Sequence, residues 1–275
     1  MNDIKLNSFF IDSHCHLDFL ENQLNLNEVV RKAHISGVKW IIIPSVQKSN
    51  FELVSELTKR FKNCAFSLGI HPLFVKNADE SDLKILRKNI ELSLKNDNFI
   101  AVGEIGLDFY TSNLREGYLR DKQEFFFIEQ LKYAKEFDLP VILHVRKSQD
   151  IILKYLRSTK VNGGIVHAFN GSKQQAKFFL DHNFLFGFGG SLSYEKAINI
   201  RNLASYLSLK SIVLETDSPD MSPKWIKSEI NTPEQILKIA KVLEKLRSES
   251  LQEIALQTTN NLIRVFPRLN ILINN

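Results

Sequence analysis

One pattern restricts this chain more than any other. Short apolar runs alternate with longer amphipathic stretches along nearly its whole length. The apolar runs are residues 9–12, 38–44, 65–70, 100–106, 140–144, 164–167, 185–189 and 212–215, several rich in β-branched residues and most ending in polar residues or glycine. Continuous apolar runs of this length predict strands buried on both faces. Residues 27–35, 50–61, 81–94, 122–137, 150–156, 173–181, 195–207 and 233–245 instead space their apolar side chains helically. Ser81 and Ser172 read as helix starts, and Thr232-Pro233 as an N-cap followed by proline at the first helical position. A further helix, 250–266, closes the chain. Such alternation predicts parallel strands joined by crossover helices.

The residues at the strand ends decide how the sheet closes. The chain has 7 histidines, and all but His34 and His182 stand at predicted strand ends. The first run leads into Asp12-Ser13-His14-Cys15-His16, the third into His71, the fourth into Glu104 and Asp108, the fifth into His144 and Arg146, the sixth into His167, and the eighth into Glu215 and Asp217. An open sheet would string these groups along a line. A (β/α)8 barrel gathers them at one mouth, where such folds carry their sites, so an α/β barrel with an extra C-terminal helix is expected. Read as strand residues, His14 and His16 share a face by the period-two rule and suit one metal, while Cys15 points away into packing. Carboxylates with neutral imidazoles suit Zn, Mn, Fe or Mg without thiolate ligands. His34 and His182 read as structural or surface residues. Asp12, Asp18 and Asp108 read as supports or strand ends, and Glu215, one layer deeper than Asp217, as an orienting residue. The phenylalanines at 125–127 and 178–179 read as helix-to-core packing.

Bulk properties set outer limits. The 275 residues, 44% hydrophobic and 24% charged, suit a single domain over 1–275 with a sizeable core. A formal charge of +5 tolerates a polyanionic substrate without requiring one, and no Lys/Arg block resembles a nucleic-acid arm. Two cysteines, Cys15 and Cys64, make no disulfide framework, which points to a reducing compartment. The first six residues lack the apolar run of a signal peptide, and no stretch approaches the roughly 20 apolar residues that span a bilayer. The expectation is a cytoplasmic protein with no membrane contact and no obligate protein partner.

The segments Asp12-Ser13-His14-Cys15-His16-Leu17-Asp18, Gly69-Ile70-His71-Pro72, Gly103-Glu104-Ile105-Gly106-Leu107-Asp108-Phe109, His144-Val145-Arg146, Val166-His167-Ala168-Phe169-Asn170-Gly171-Ser172 and Glu215-Thr216-Asp217-Ser218-Pro219 occur in this order. Together they resemble the TatD family of metal-dependent hydrolases, within the amidohydrolase-like barrels, over residues 10–266. Gln123, Phe127, Gln130 and the tail Thr258-Thr259-Asn260-Asn261 match as well. The resemblance implies two divalent metal ions (Mg, Mn or Zn). His14, His16, Glu104 and Asp217 would hold the first; Glu104, as the bridge, with His144 and His167 would hold the second. It also implies that Asp217 takes a proton from the attacking water, and that His71 and Arg146 lie beside the substrate. Several members are described as deoxyribonucleases, so DNA is the implied substrate.

The chain departs from the family pattern after the eighth strand. Residues 224–233 keep Asn231 and Pro233, but Thr232 stands where glutamate is frequent, Glu229 and Ile230 stand where basic residues are common, and Asp220 follows Pro219 where tyrosine is frequent. The metal-ligand positions are untouched. Three functions follow from this sequence: a deoxyribonuclease, a metal-dependent hydrolase of a small ester, amide or phosphoester, or a metal-binding barrel without catalysis.

Overall fold

Each apolar run becomes a strand, and each strand pairs in parallel with the next along the chain. The computed structural model describes residues 8–274. The strands are β1 (Phe10–Asp12), β2 (Val38–Pro44), β3 (Cys64–Leu68), β4 (Phe99–Asp108), β5 (Val141–Arg146), β6 (Gly164–His167), β7 (Phe184–Phe188) and β8 (Ile212–Leu214), in that order in one sheet. Among the described residues no ladder joins β8 back to β1. Backbone bonds beyond the strand ends bring the two edges together: Ser13 N–H donates to Leu214 O (3.0 Å), Asp217 N–H to His14 O (2.8 Å) and His16 N–H to Ser218 O (2.8 Å). Helices fill the crossovers, as the alternation predicts. No helix among the described residues is long and apolar enough to cross a membrane.

Strand parity sorts the core into two layers. Ile41 and Ile43, Val141 and Leu143, and Phe184, Phe186 and Phe188 face the surrounding helices. Their neighbours Ile42, Ile142, Leu185 and Val213 fill the barrel interior, with Phe266 and Leu269 packed on the same interior cluster. Continuing the inward parity past the apolar layer leads from Ile142 to His144 and from Ile165 to His167 within their strands, and from Val213 to Glu215 just beyond β8; Asp217 follows with a left-handed backbone (φ 54°). The pattern that packs the barrel therefore also aims the polar side chains at its mouth.

Several boundaries differ from the sequence reading. The helix expected at 122–137 runs Gly117–Glu136, and that expected at 195–207 is shortened to Ile198–Tyr206 behind a 3-10 turn, Gly190–Ser193. Ser172 caps its helix as expected, accepting from Gln175 N–H at 3.0 Å. The helix Glu80–Ser93, however, is capped by Asp79, whose carboxylate accepts from the N–H groups of Ser81 and Asp82. Pro233 does occupy a first helical position, in the 3-10 turn Pro233–Gln235, but the Thr232 side chain makes no capping bond. The chain ends in two helices, Leu251–Val265 and Pro267–Asn274, where one was expected. Phe126, Phe127 and Phe179 are core residues, but Phe125 and Phe178 are 40% and 38% exposed, because each helix turns its flanking position to solvent.

Candidate metal centre

Seven of the predicted residues meet at the C-terminal mouth, and Glu104 is their hub. It lies in the second half of β4 and is almost fully buried. Its Oε2 is 3.1 Å from His14 Nε2 and 3.5 Å from His16 Nε2. Those two nitrogens are 3.2 Å apart, and each is 3.5 Å from Asp217 Oδ1. Imidazole nitrogens and carboxylate oxygens buried this close together suit a shared cation: His14, His16 and Glu104 form one group of mutually close donors, and His14, His167 and Asp217 another.

The other oxygen, Oε1, faces a second set: His144 Nδ1 at 3.2 Å, His71 Nε2 at 3.3 Å and His167 Nε2 at 3.5 Å. Tautomers separate these three rings. His144 Nε2 is 3.2 Å from Asp108 Oδ2, so a proton held there would leave the Nδ1 lone pair facing Glu104. His167 Nδ1 is 3.3 Å from Glu215 Oε1, and with a proton on that side its Nε2 would be the inner donor. In His71 the order is reversed. Its Nδ1 accepts the N–H of Leu73 at 3.1 Å, so the ring proton sits on Nε2. His144 and His167 are thus prepared as metal ligands, and His71 as a hydrogen-bond donor.

Burial and neighbouring charge set the ionisation of the cluster, and they do not follow the tautomer division: burial lowers His14 and His71, while at His144 and His167 the facing carboxylates outweigh burial and raise the rings. Burial, helped by the neighbouring His167, lowers the His14 imidazole to about 3, and burial, with His144 beside it, lowers His71 to about 4. Both stay neutral at physiological pH. Burial alone would raise the Glu104 carboxyl, but the surrounding His71, His14 and His167 rings hold it well below the ordinary range, so it is ionised. Burial raises Asp217 to about 6.

The supports are as specific as the donors. Asp12 accepts from Thr216 N–H (3.0 Å) and Thr216 Oγ1 (2.5 Å), stapling the end of β1 to the residue before Asp217. Asp18 Oδ2 accepts from Asn50 Nδ2 at 2.8 Å. Asp108 Oδ1 takes the N–H groups of Tyr110 and Thr111 at 2.9 and 2.8 Å. Gln123 and Gln130 satisfy backbone at Asp108 and Ile70, respectively. Thr259 and Asn261 tie the penultimate helix to Phe9 O, Leu209 O and Ile212 O. Glu215 Oε1 accepts from Ala168 N–H at 2.6 Å, and its carboxylate lies against Gly187, where an added Cβ would stand 2.0 Å from Oε2.

One expectation needs a corrected reason. β1 stops at Asp12, so His14 and His16 do not share a face through strand pleating. Inward parity would select Ile11 and Ser13; the chain bends at Ser13, and the bonds to Leu214, Ser218 and Ile42 turn both rings to the centre. Cys15 is buried in the outer core, as expected. His34 contacts Lys39 at the surface and His182 bonds Phe178 O, both away from the mouth. Arg146 is half exposed, 3.9 Å from Asp108 Oδ2. Sequence reasoning missed Gly187, Thr216, Asn50 and Tyr110. Of these only Gly187 carried a signal, since glycine inside a strand marks a close approach. A groove of about 700 Å³ at the opposite end of the barrel, lined by Lys160, His182, Arg264 and neighbours, contains none of the donors.

A family model described as TatD-related DNase matches residues 11–267. The chain belongs to the TatD family. It is 37% identical to an uncharacterized metal-dependent hydrolase of Haemophilus influenzae, over 94% of this chain and 99% of that one. It is 35% identical to the Escherichia coli metal-dependent hydrolase YjjV, over 94% of this chain and 97% of that one. The crystal structure of YjjV, a TatD homologue, superposes with a TM-score of 0.88, covering 95% of this chain and 99% of that one. A metal-dependent hydrolase of the TatD family on a TIM barrel is therefore the identity that fold and relatives share.

Proposed function

We propose that this TatD-family protein is a two-metal phosphodiesterase acting on DNA. The observation that carries the reading is Glu104. Its Oε2 faces His14 and His16 and its Oε1 faces His144, His71 and His167, so one carboxylate would serve both groups of donors. His14, His16 and Asp217 complete one set, and His144 and His167 the other. Divalent ions held there would supply Lewis acidity to the phosphoryl oxygens and make water a stronger nucleophile.

The chain's own groups do the rest. Asp217 takes the proton of the attacking water as its oxygen bonds to phosphorus. His71, its proton on Nε2, donates to the oxygen that departs as the ester P–O bond breaks. Arg146, on the rim outside the donors, contacts a phosphate of the substrate. DNA as the substrate draws support from the family's description and from the formal charge of +5.

A second reading, hydrolysis of a small ester, amide or phosphoester, is favoured by the segment after β8. Its Lys224 is paired with Glu195 at 2.8 Å, and Glu229 adds negative charge, so this rim attracts a polyanion weakly. The deciding experiment compares wild type with Glu104→Ala on single- and double-stranded DNA under Mg, Mn, Zn and Co. Metal-dependent release of nucleotides by wild type alone supports the nuclease. Inert DNA under every metal, with turnover of a small p-nitrophenyl ester, replaces it with the second reading.

A further inference from the structure

The rim beside His144 holds a constellation that the metal centre does not use. Tyr110 follows β4 and is half exposed. The guanidinium of Arg146 lies 4.0 Å from its ring centroid, and the ammonium of Lys147 lies 5.0 Å from the same centroid. Consecutive residues leaving a strand normally point to opposite sides. Here Lys147 takes a left-handed conformation (φ 55°), unusual for a residue with a side chain, and both charges reach one ring. The ring is itself held firmly. Tyr110 N–H donates to Asp108 Oδ1 at 2.9 Å, and Phe109 N–H donates to Arg146 O at 2.8 Å, locking the two loops together.

Neither cation is satisfied by this arrangement. Among the described residues, Arg146 has only the Asp108 carboxylate at 3.9 Å, and Lys147 has no acidic partner. Two like charges side by side, half in water, repel each other unless an anion joins them. The ring offsets part of that cost by cation–π attraction. Asp108, which orients Tyr110, also accepts from His144. One carboxylate therefore positions both a metal-ligand candidate and this pair of cations, which stand at the edge of the centre and outside it.

We propose that Tyr110, Arg146 and Lys147 form an anion subsite that binds a second phosphate of the substrate, the one flanking the bond to be cleaved. Arg146 and Lys147 supply the charge, and Tyr110 is the positioning residue that holds them together. The subsite makes the enzyme select substrates with at least two phosphates over singly charged esters. It rests on the reading of the centre as a phosphodiesterase, and it can be tested apart from it.

The test measures binding of thymidine 3′,5′-bisphosphate and thymidine 5′-monophosphate to the metal-loaded protein by calorimetry, for wild type, Tyr110→Leu, Tyr110→Phe and Lys147→Gln. Wild type is expected to prefer the bisphosphate by about tenfold, the scale of one charge-assisted contact. Tyr110→Leu and Lys147→Gln are expected to bring the two affinities within about twofold, whereas Tyr110→Phe, which keeps the ring, retains the preference. A preference unchanged in Tyr110→Leu and Lys147→Gln, or absent in wild type, overturns the subsite. Turnover of the trinucleotide TpTpT, which carries a flanking phosphate, by wild type reports on the hydrolytic reading separately. A preference that responds to the variants without any TpTpT turnover keeps the subsite and removes the phosphodiesterase.

Discussion

Gly187 lacks a side chain at the one place where Glu215 needs the room. A methyl group there would stand 2.0 Å from Glu215 Oε2 and drive the carboxylate off the position from which it faces His167 Nδ1. Gly187→Ala is therefore expected to lower metal content by about one ion per chain and to cut activity about 10–100-fold, with far-UV circular dichroism unchanged. Elemental analysis checks it, and full occupancy in that variant would remove Glu215 from its orienting role. His71 makes the opposite case. Because its Nε2 carries the proton, His71→Ala should keep its metal while turnover falls about 100-fold or more. Loss of an ion in that variant would show His71 to be a ligand and the tautomer argument to be wrong.

Among the elements, the segment after β8 has the least regular structure and the most exacting task. Asn231 is buried and donates to Thr216 O at 2.9 Å and to Asp220 O at 2.7 Å, pinning the loop on both sides of Asp217. Asn231→Ala leaves two carbonyls without donors. A loss of about 1–3 kcal/mol is expected, a melting temperature lower by roughly 5 °C, together with weaker metal binding. A thermal melt and a metal titration test both parts; an unchanged melt would mean that water replaces the amide. This level also shows what could be read beforehand. Strands such as 38–44 and 164–167 were legible to the residue because their centres, Ile41–Ile43 and Ile165–Val166, are apolar and buried on both faces. The donors at their ends were legible where inward parity continues, from Ile142 to His144 and from Ile165 to His167, whereas Asp217 lies past β8 in a left-handed turn. His14 and His16 were found for an incomplete reason. Their orientation comes from bonds to Leu214, Ile42 and Ser218, contacts between distant parts of the chain that local periodicity cannot contain. Tyr110 was missed for a related reason, since nothing in its neighbours signals two cations arriving from another strand.

At the scale of the whole molecule, ions and protons compete for one buried volume. Burial alone would lower the imidazoles of His16 and His167, but the facing carboxylates outweigh it. Glu104 and Asp217 push His16 up to about 9, and Asp217, Glu215 and Glu104 push His167 up to about 10. Groups raised in this way carry protons at neutral pH when no ion is bound, so loading must displace them. Apparent metal affinity is expected to rise steadily from about pH 6 to about pH 9. Calorimetry in buffers of different ionisation enthalpy should record protons released per ion at neutral pH; an affinity flat across that range would contradict it. Loaded protein should also melt higher than chelated protein, by an amount that grows with free metal.

The staple between Asp12 and Thr216 joins residues 204 positions apart. During translation, the histidines of the first segment emerge long before Asp217 and the strand that carries it. A growing or truncated chain that lacks the eighth strand cannot assemble the four-donor cluster. A centre built from both ends of the chain is thus assembled only when the ring of strands is complete.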